Sequence, residues 1–330
     1  MSTEFKVSNS KLFKLLGENK TAFVFTLKII IAGGLLYYLT SSIEYAKILR
    51  ALENANFFLI LTAFILSAIN IYFQFAKWRL TCGQVLKENN NSKVFLSLFY
   101  GFSAGIITPL RIGEYFGRAI AFKDKSVVQV TIATLIDKFF PLIIVAFIGS
   151  ISSILFLYLK FGVSIYLALS LFIVLFTLFY ILFLLIMNQR FWDNVLFNKI
   201  KSLKSLNKVF EKLIILKSLN RIYLLKMSTF SFLFYLSFLI QYVLLVAAFS
   251  HNQNILDYFW AGNLIMFAKT IIPPISLGEL GIREGASIYF LTQFGESSAV
   301  AFNASIFLFL INLLIPAFIG LILLFKKNDN

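Results

Sequence analysis

The chain has 330 residues, of which 59% are hydrophobic and 14% are charged, and its mean hydropathy is +0.86. Soluble domains carry about 45–50% apolar and about 25% charged residues, so this composition predicts an integral membrane protein and excludes an ordinary soluble enzyme. The net charge of +15 comes from basic residues beside apolar runs. That placement favours membrane lipids with anionic headgroups as partners, and we expect no nucleic-acid partner.

Six apolar runs approach or exceed the length of about 20 residues that a membrane-spanning helix needs. The first has no small-residue cleavage site after it, so we expect it to stay in the protein as a membrane helix. The third contains Pro141, which predicts a kink or a break. The six runs are Ala22 to Leu39, Phe57 to Phe75, Val127 to about Tyr158, Val163 to Met187, Tyr223 to Ser250 and Ala299 to Phe325.

Two weaker runs, Val94 to Thr108 and Ile255 to Ile272, each end at a proline and a charged stretch. If both are re-entrant and the N-terminus is cytoplasmic, 23 lysines and arginines face the cytoplasm and four face outside. A full crossing by the first run alone would move a loop with nine basic residues outside, against the positive-inside bias. We therefore predict re-entrant segments, cytoplasmic termini and a multi-pass protein of the plasma membrane.

The charged stretches after the weak runs, TPLRIGEYFGR and PPISLGELGIR, look like copies of one another. In the predicted topology they enter the membrane from opposite faces. Two such segments indicate an inverted repeat within one membrane domain, 1–330, with halves 1–165 and 166–330 and a substrate site where the halves meet. The matching positions, 165 residues apart, are Pro109 with Pro274, Gly113 with Gly278, Glu114 with Glu279, and Arg118 with Arg283.

The residue types of the motif indicate a broken helix that carries charge. Proline ends a helix, and glycine permits a tight turn or close backbone approach. A glutamate and an arginine four residues apart can pair on one helix face, and arginine can also bind phosphate through two hydrogen bonds. These pairs either lock each broken helix or take part in binding substrate, and the second role is favoured because intramembrane charges are costly.

Two further charges, Asp137 and Lys138, lie inside the third apolar run. As sequence neighbours on a helix they point about 100° apart, so they need separate partners on other helices. Glu114 or Glu279 could pair with Lys138, and an arginine with Asp137. The role of Lys269 is left open, because a lysine near a helix end can also extend its ammonium group to the lipid headgroups.

Between the halves, residues 189–222 contain apolar side chains at helical spacing with lysines toward the opposite side. This pattern predicts a basic amphipathic segment in the cytoplasmic headgroup layer. It either anchors the protein or collects anionic lipid.

The motifs resemble those of the lysylphosphatidylglycerol synthase transmembrane-region family, which are approximately T-P-G-R-x-G-E followed by arginine and P-x-S-x-G-G-x-G-x-R-E. The chain departs from them at Leu110 and Glu279, where glycine is usual, and its Asp137–Lys138 stands for a central pair that is usually Glu-Arg. The matching residues are Thr108, Pro109, Arg111, Gly113, Glu114 and Arg118 in the first motif, and Pro274, Ser276, Gly278, Gly281, Arg283 and Glu284 in the second.

The resemblance implies translocation of a phospholipid, often an aminoacylated one, or a link to polyprenyl-phosphate lipids. The family's synthase is a separate soluble domain, and this chain stops at Asn330 just after its last apolar run, so we expect the membrane half alone. The leading hypothesis is a lipid flippase. The alternative is a membrane transferase with Glu114 or Glu279 as general base. The sequence leaves open whether a second copy of the chain or other cell-envelope proteins are partners.

The predicted site has no catalytic residue, metal or cofactor. One cysteine, Cys82, and one histidine, His251, exclude an internal disulfide and a paired-histidine zinc site. The predicted structural residues are Thr108, Pro109, Gly113, Pro273, Pro274, Gly278 and Gly281. The predicted substrate-binding residues are Arg111, Glu114, Arg118, Asp137, Lys138, Ser276, Glu279, Arg283 and Glu284.

Overall fold

The computed structural model describes residues 34, 37, 41, 45–187, 221–250, 252, 254–272 and 279–328. Throughout these residues the regular structure is helical and no strand occurs, which confirms the predicted all-α class. The helices are α1 Tyr45–Glu53, α2 Phe57–Thr81, α3 Asn91–Ile107, α4 Gly113–Ala119, α5 Val127–Phe161, α6 Ile165–Met187, α7 Arg221–Phe249, α8 Ile255–Ile271, α9 Ile282–Gln293, α10 Ser298–Phe309 and α11 Ile315–Asn328.

Five segments of the described chain are long and apolar enough to cross a membrane. They match five of the six predicted runs; the other, Ala22 to Leu39, lies outside the described residues apart from positions 34 and 37. A π-helical turn, Cys82–Leu86, prolongs α2, and another, Leu310–Leu314, joins α10 to α11. The five segments are Phe57–Leu86, Val127–Phe161, Ile165–Leu184, Arg221–Phe249 and Ser298–Lys326.

Helix α5 runs without a break from Val127 to Phe161, so the break considered at Pro141 is wrong. Proline has no N–H, which leaves the carbonyl four residues earlier, that of Asp137, without its helical donor. The ammonium of Lys77 on α2 lies 3.4 Å from that carbonyl oxygen and donates to it. A side chain from the neighbouring helix thus replaces the lost backbone hydrogen bond.

The two weaker runs form α3 and α8, each 17 residues long. At 1.5 Å per residue each measures about 25 Å, less than the hydrocarbon thickness of about 30 Å. Their re-entrant path and the inverted repeat stay predictions. The amphipathic segment predicted for 189–222 lies outside the described residues, except for its last two positions, where α7 begins.

The described helices pack around two large apolar cores, and a small third cluster lies where α1 meets α10. One large core is built mainly from α7, α8, α9 and α10, and the other mainly from α2, α3 and α5. Helices α2 and α7 lie side by side, while α4 folds back against α3. Charged side chains connect elements of the two cores.

Candidate functional site

The backbones of α3 and α4 approach closely, because glycine occupies the contact positions on α4. A Cβ atom at Gly113 would lie 2.2 Å from the carbonyl oxygen of Ala104, and one at Gly117 would lie 2.4 Å from that of Tyr100. Small residues allow membrane helices to pack at this distance. The close approach predicted for Gly113 is therefore confirmed, and it places the charged face of α4 against α3.

The turn between α3 and α4 is held by Thr108. Its hydroxyl donates to the Ala104 carbonyl at 3.1 Å and accepts from the Gly113 N–H at 2.6 Å, so it ends one helix and starts the next. Pro109 begins a short 3₁₀ turn, within which Leu110 has φ 53° and Arg111 has φ 55°. Glycine enters this left-handed region most easily. This explains why glycine is favoured at position 110. In this chain Leu110 adopts the same left-handed backbone conformation.

Glu114, buried in the first turn of α4, is the centre of an ion-pair cluster. Its oxygens lie 2.8 Å from Arg118, 2.6 Å from Lys138 and 3.2 Å from Arg111. The predicted pair of Glu114 with Arg118 is confirmed, and so is a glutamate partner for Lys138. One carboxylate on α4 thereby receives cations from its own helix, from the preceding turn and from α5.

Asp137 is the second carboxylate of the cluster and is also buried. Arg118 donates to it at 3.0 Å, which confirms that an arginine pairs with Asp137, and Lys77 lies 3.5 Å away. The guanidinium of Arg118 also lies over the ring of Trp78, 4.3 Å from its centroid. Arg118 therefore links both carboxylates and is fixed by an aromatic face, a favourable cation–π arrangement.

Lys77 is a member of the cluster that the sequence analysis missed. The sequence pattern assigns it no partner, but it lies on α2 and is 4% exposed. Two signals were available in the sequence: Lys77 directly follows a long apolar run, and Pro141 stands four residues after an intramembrane aspartate. To combine these two signals into a contact between Lys77 and Asp137, one has to know that α2 packs against α5.

Replacing Lys77 by methionine is expected to lower the free energy of unfolding by about 1 kcal/mol, because Asp137 loses an ion pair and its carbonyl loses a donor. Methionine keeps most of the packing of the lysine stem. Thermal melting in detergent measures the change, with Lys226→Met, an exposed lysine on α7, as the control. Equal melting temperatures for the two variants would contradict the role assigned to Lys77.

Glu279 joins the cluster from the second half of the chain. Its carboxylate lies 3.5 Å from Arg111 and 3.3 Å from Lys269 on α8. The predicted pairing with Arg283 on one helix is not the arrangement found, because α9 begins only at Ile282 and Glu279 precedes it. Lys269, which the sequence left open, is thus an ion-pair partner within the membrane domain.

Arg283 and Glu284 form a separate buried pair at the start of α9. The guanidinium of Arg283 lies 3.2 Å from Glu284 and donates to the hydroxyl of Ser305 on α10 at 3.2 Å. Glu284 accepts from the N–H of Gly281, whose φ of 88° suits glycine. These contacts attach α9 to α10. The remaining predicted site residues, Pro273, Pro274, Ser276 and Gly278, lie outside the described part of the chain.

The connected cluster carries more positive than negative charge. Among the described residues it contains five cations and three carboxylates, a formal excess of two positive charges. Uncompensated charge away from water is costly, so an anionic ligand would stabilise the arrangement. The cations are Lys77, Arg111, Arg118, Lys138 and Lys269, and the carboxylates are Glu114, Asp137 and Glu279.

The cluster has an inner and an outer part. The side chains of Lys77 and Arg118 are at most 5% exposed, whereas those of Lys138, Arg111 and Lys269 are 33%, 20% and 17% exposed. An incoming ligand can therefore reach the outer three cations first. No group of three or more histidine, cysteine, aspartate or glutamate side chains that could hold a metal ion occurs among the described residues.

The fold and this cluster define a polytopic helical membrane protein with a buried, net-positive site. A family model described as "Lysylphosphatidylglycerol synthase TM region" matches residues 25–320, and the chain belongs to this family. Comparison with curated proteins and with solved structures gave no match. Membership of this family supports a function connected with membrane lipids. It also confirms the resemblance that the two sequence motifs indicate.

Proposed function

We propose that the protein is a flippase that moves a lipid with a phosphate-bearing headgroup between the two leaflets of the plasma membrane. The observation that carries the proposal is the excess of two positive charges in a cluster held between membrane helices. A phospholipid, aminoacylated or not, and a polyprenyl-phosphate lipid both bring a phosphate that can neutralise it. The cytoplasmic termini and the inverted repeat belong to the same proposal.

The outer cations are the groups that meet the phosphate. Arg111 can offer a planar fork of donors to two phosphate oxygens, and Lys138 and Lys269 add mobile ammonium groups. Glu114 and Asp137 keep the cations in place, and they can also bind the amine of an aminoacylated headgroup. Arg118, fixed on both carboxylates and on Trp78, acts as the anchor of the site.

The surroundings of Lys138 support entry from the side. On the same face of α5, Leu135 is 52% exposed, Phe139 41% and Leu142 48%. Large apolar side chains exposed on a membrane helix face lipid tails. A lipid can thus present its headgroup to the cluster while its tails stay in the bilayer, and movement between leaflets then requires no passage of the tails through the protein.

Replacing Arg111 by alanine is expected to slow transbilayer movement about tenfold or more, since a lost charge-assisted hydrogen bond amounts to about 1.5–3 kcal/mol. The measurement is the fraction of labelled anionic lipid protected from a membrane-impermeant reductant in proteoliposomes. The control is Arg79→Ala, because Arg79 is an exposed arginine on α2 outside the cluster. Equal rates for wild type, Arg111→Ala and protein-free liposomes would refute transport.

The same liposomes separate transport from the alternative, a membrane transferase. Transport returns the labelled lipid chemically unchanged, whereas a transferase converts it in the presence of an activated donor. Mass analysis of the recovered lipid distinguishes the two. Conversion that depends on Glu114 or Glu279 would establish the enzyme instead.

A further inference from the structure

We propose that the carboxylate of Glu279 is an internal counter-ion that occupies the place of a ligand phosphate between Arg111 and Lys269, and that the ligand displaces it. The inference rests on the proposed function and adds how part of the positive charge of the site is balanced before a ligand binds. It also divides the cluster into a permanent part, around Glu114 and Asp137, and an exchangeable part.

The distances within the cluster separate these two parts. Glu114 contacts its three cations at 2.6–3.2 Å. Asp137 contacts Arg118 at 3.0 Å and Lys77 at 3.5 Å, so each of these two carboxylates has at least one contact of 3.0 Å or less. The contacts of Glu279 are longer, 3.5 Å to Arg111 and 3.3 Å to Lys269. Charge-assisted hydrogen bonds of nitrogen to oxygen are strongest near 2.7–2.9 Å. The bridge made by Glu279 is therefore the one most easily exchanged.

The backbone of Glu279 points to the same conclusion. Its φ of 76° lies in the left-handed region, and the residue precedes α9 rather than lying on it. A non-glycine residue in this conformation is disfavoured by about 1–2 kcal/mol. A rearrangement of the backbone that moves Glu279 away from its two cations relieves this strain, which lowers the free-energy cost of releasing the side chain.

The two cations that Glu279 bridges are suited to a phosphate. Arg111 reaches one oxygen of the carboxylate and Lys269 the other, a two-oxygen bridge that a phosphate can reproduce. The cluster keeps an excess of two positive charges even with Glu279 in place, which favours a ligand that carries more charge than the carboxylate it displaces. The ligand class is thus a lipid with a terminal phosphate, which carries more charge than a phosphodiester.

If ligand and carboxylate compete, removing the carboxylate must raise ligand affinity. Glu279→Gln is expected to bind a short-chain phosphatidate about five- to tenfold more tightly than wild type, within the usual range for coupled binding. Glu279→Gly should show the same gain and a higher melting temperature than Glu279→Gln, since it also removes the backbone strain. The matched control is Glu88→Gln, because Glu88 contacts Lys93 at 3.5 Å outside the cluster.

Isothermal titration calorimetry in detergent measures these affinities with dioctanoyl phosphatidate, dioctanoyl phosphatidylcholine and inorganic phosphate as probes. Unchanged or weaker phosphatidate binding by both Glu279 variants overturns the displacement, even if wild type still prefers phosphatidate to phosphatidylcholine. Wild type that binds the two lipids equally overturns the terminal-phosphate ligand class, whereas wild type that binds neither lipid overturns the proposed function itself. Inorganic phosphate that binds as tightly as phosphatidate, with a gain in Glu279→Gln, would support displacement but assign the site to a soluble phosphate.

Discussion

Arg118→Ala is expected to lower the free energy of unfolding by about 3–5 kcal/mol, the usual cost of removing one partner from a buried ion pair. The loss is large because two buried carboxylates depend on this guanidinium, Glu114 at 2.8 Å and Asp137 at 3.0 Å. The contact with Trp78 is lost as well. Without Arg118, the two carboxylates keep only lysines and Arg111 as partners.

Thermal melting of the detergent-solubilised protein measures this effect, with Arg79→Ala as the control on an exposed arginine. Arg118→Lys should fall between wild type and alanine, because one ammonium cannot contact both carboxylates and the indole face in the way a planar guanidinium does. A melting temperature of Arg118→Ala equal to that of the control would show that the cluster does not stabilise the fold.

The second large effect is expected for Gly117→Val, which should destabilise the protein by about 3 kcal/mol through overpacking. Its Cβ would lie 2.4 Å from the carbonyl oxygen of Tyr100 and 2.7 Å from the Cβ of Ala104, both on α3. Helices α3 and α4 would have to separate. Since Glu114 and Arg118 lie on α4, transport should fall together with stability.

A control for this change is available on α9. Gly285 lies inside that helix, and a Cβ at this position has no other atom within 4 Å. Gly285→Ala is therefore expected to be neutral or stabilising by up to about 1 kcal/mol, because alanine has the higher helix propensity. If Gly117→Val melts at the same temperature as Gly285→Ala, the close packing of α3 and α4 is not required.

Much of the fold could be predicted because a membrane-spanning helix is recognised from the hydropathy of consecutive residues. Five spanning segments are continuous apolar runs, and the short α3 is ended by a proline in the expected way. The partners of Asp137 and Lys138 could be anticipated as well, because two neighbouring charges on one helix must point to different helices. In each case the physical constraint lies within a few residues of sequence.

The parts that could not be predicted depend on which helices pack together. Lys77 joins the cluster only because α2 lies against α5, where Pro141 leaves the Asp137 carbonyl free to accept from it. Glu279 pairs with Lys269 and Arg111 rather than with Arg283, because the helix begins three residues after it. A spacing of four residues predicts a pair only when both residues lie on the same helix, as Glu114 and Arg118 do.

The position of Trp78 gives the protein an optical probe of its own site. Its indole ring is fully buried beneath the guanidinium of Arg118, and the emission of an indole responds to charge beside the ring. The chain has three tryptophans, and Trp260 lies against Phe156 and Phe294 instead. With Trp192 and Trp260 replaced by phenylalanine, the colour and intensity of the remaining fluorescence would report any movement of Arg118 during a transport cycle without an attached dye.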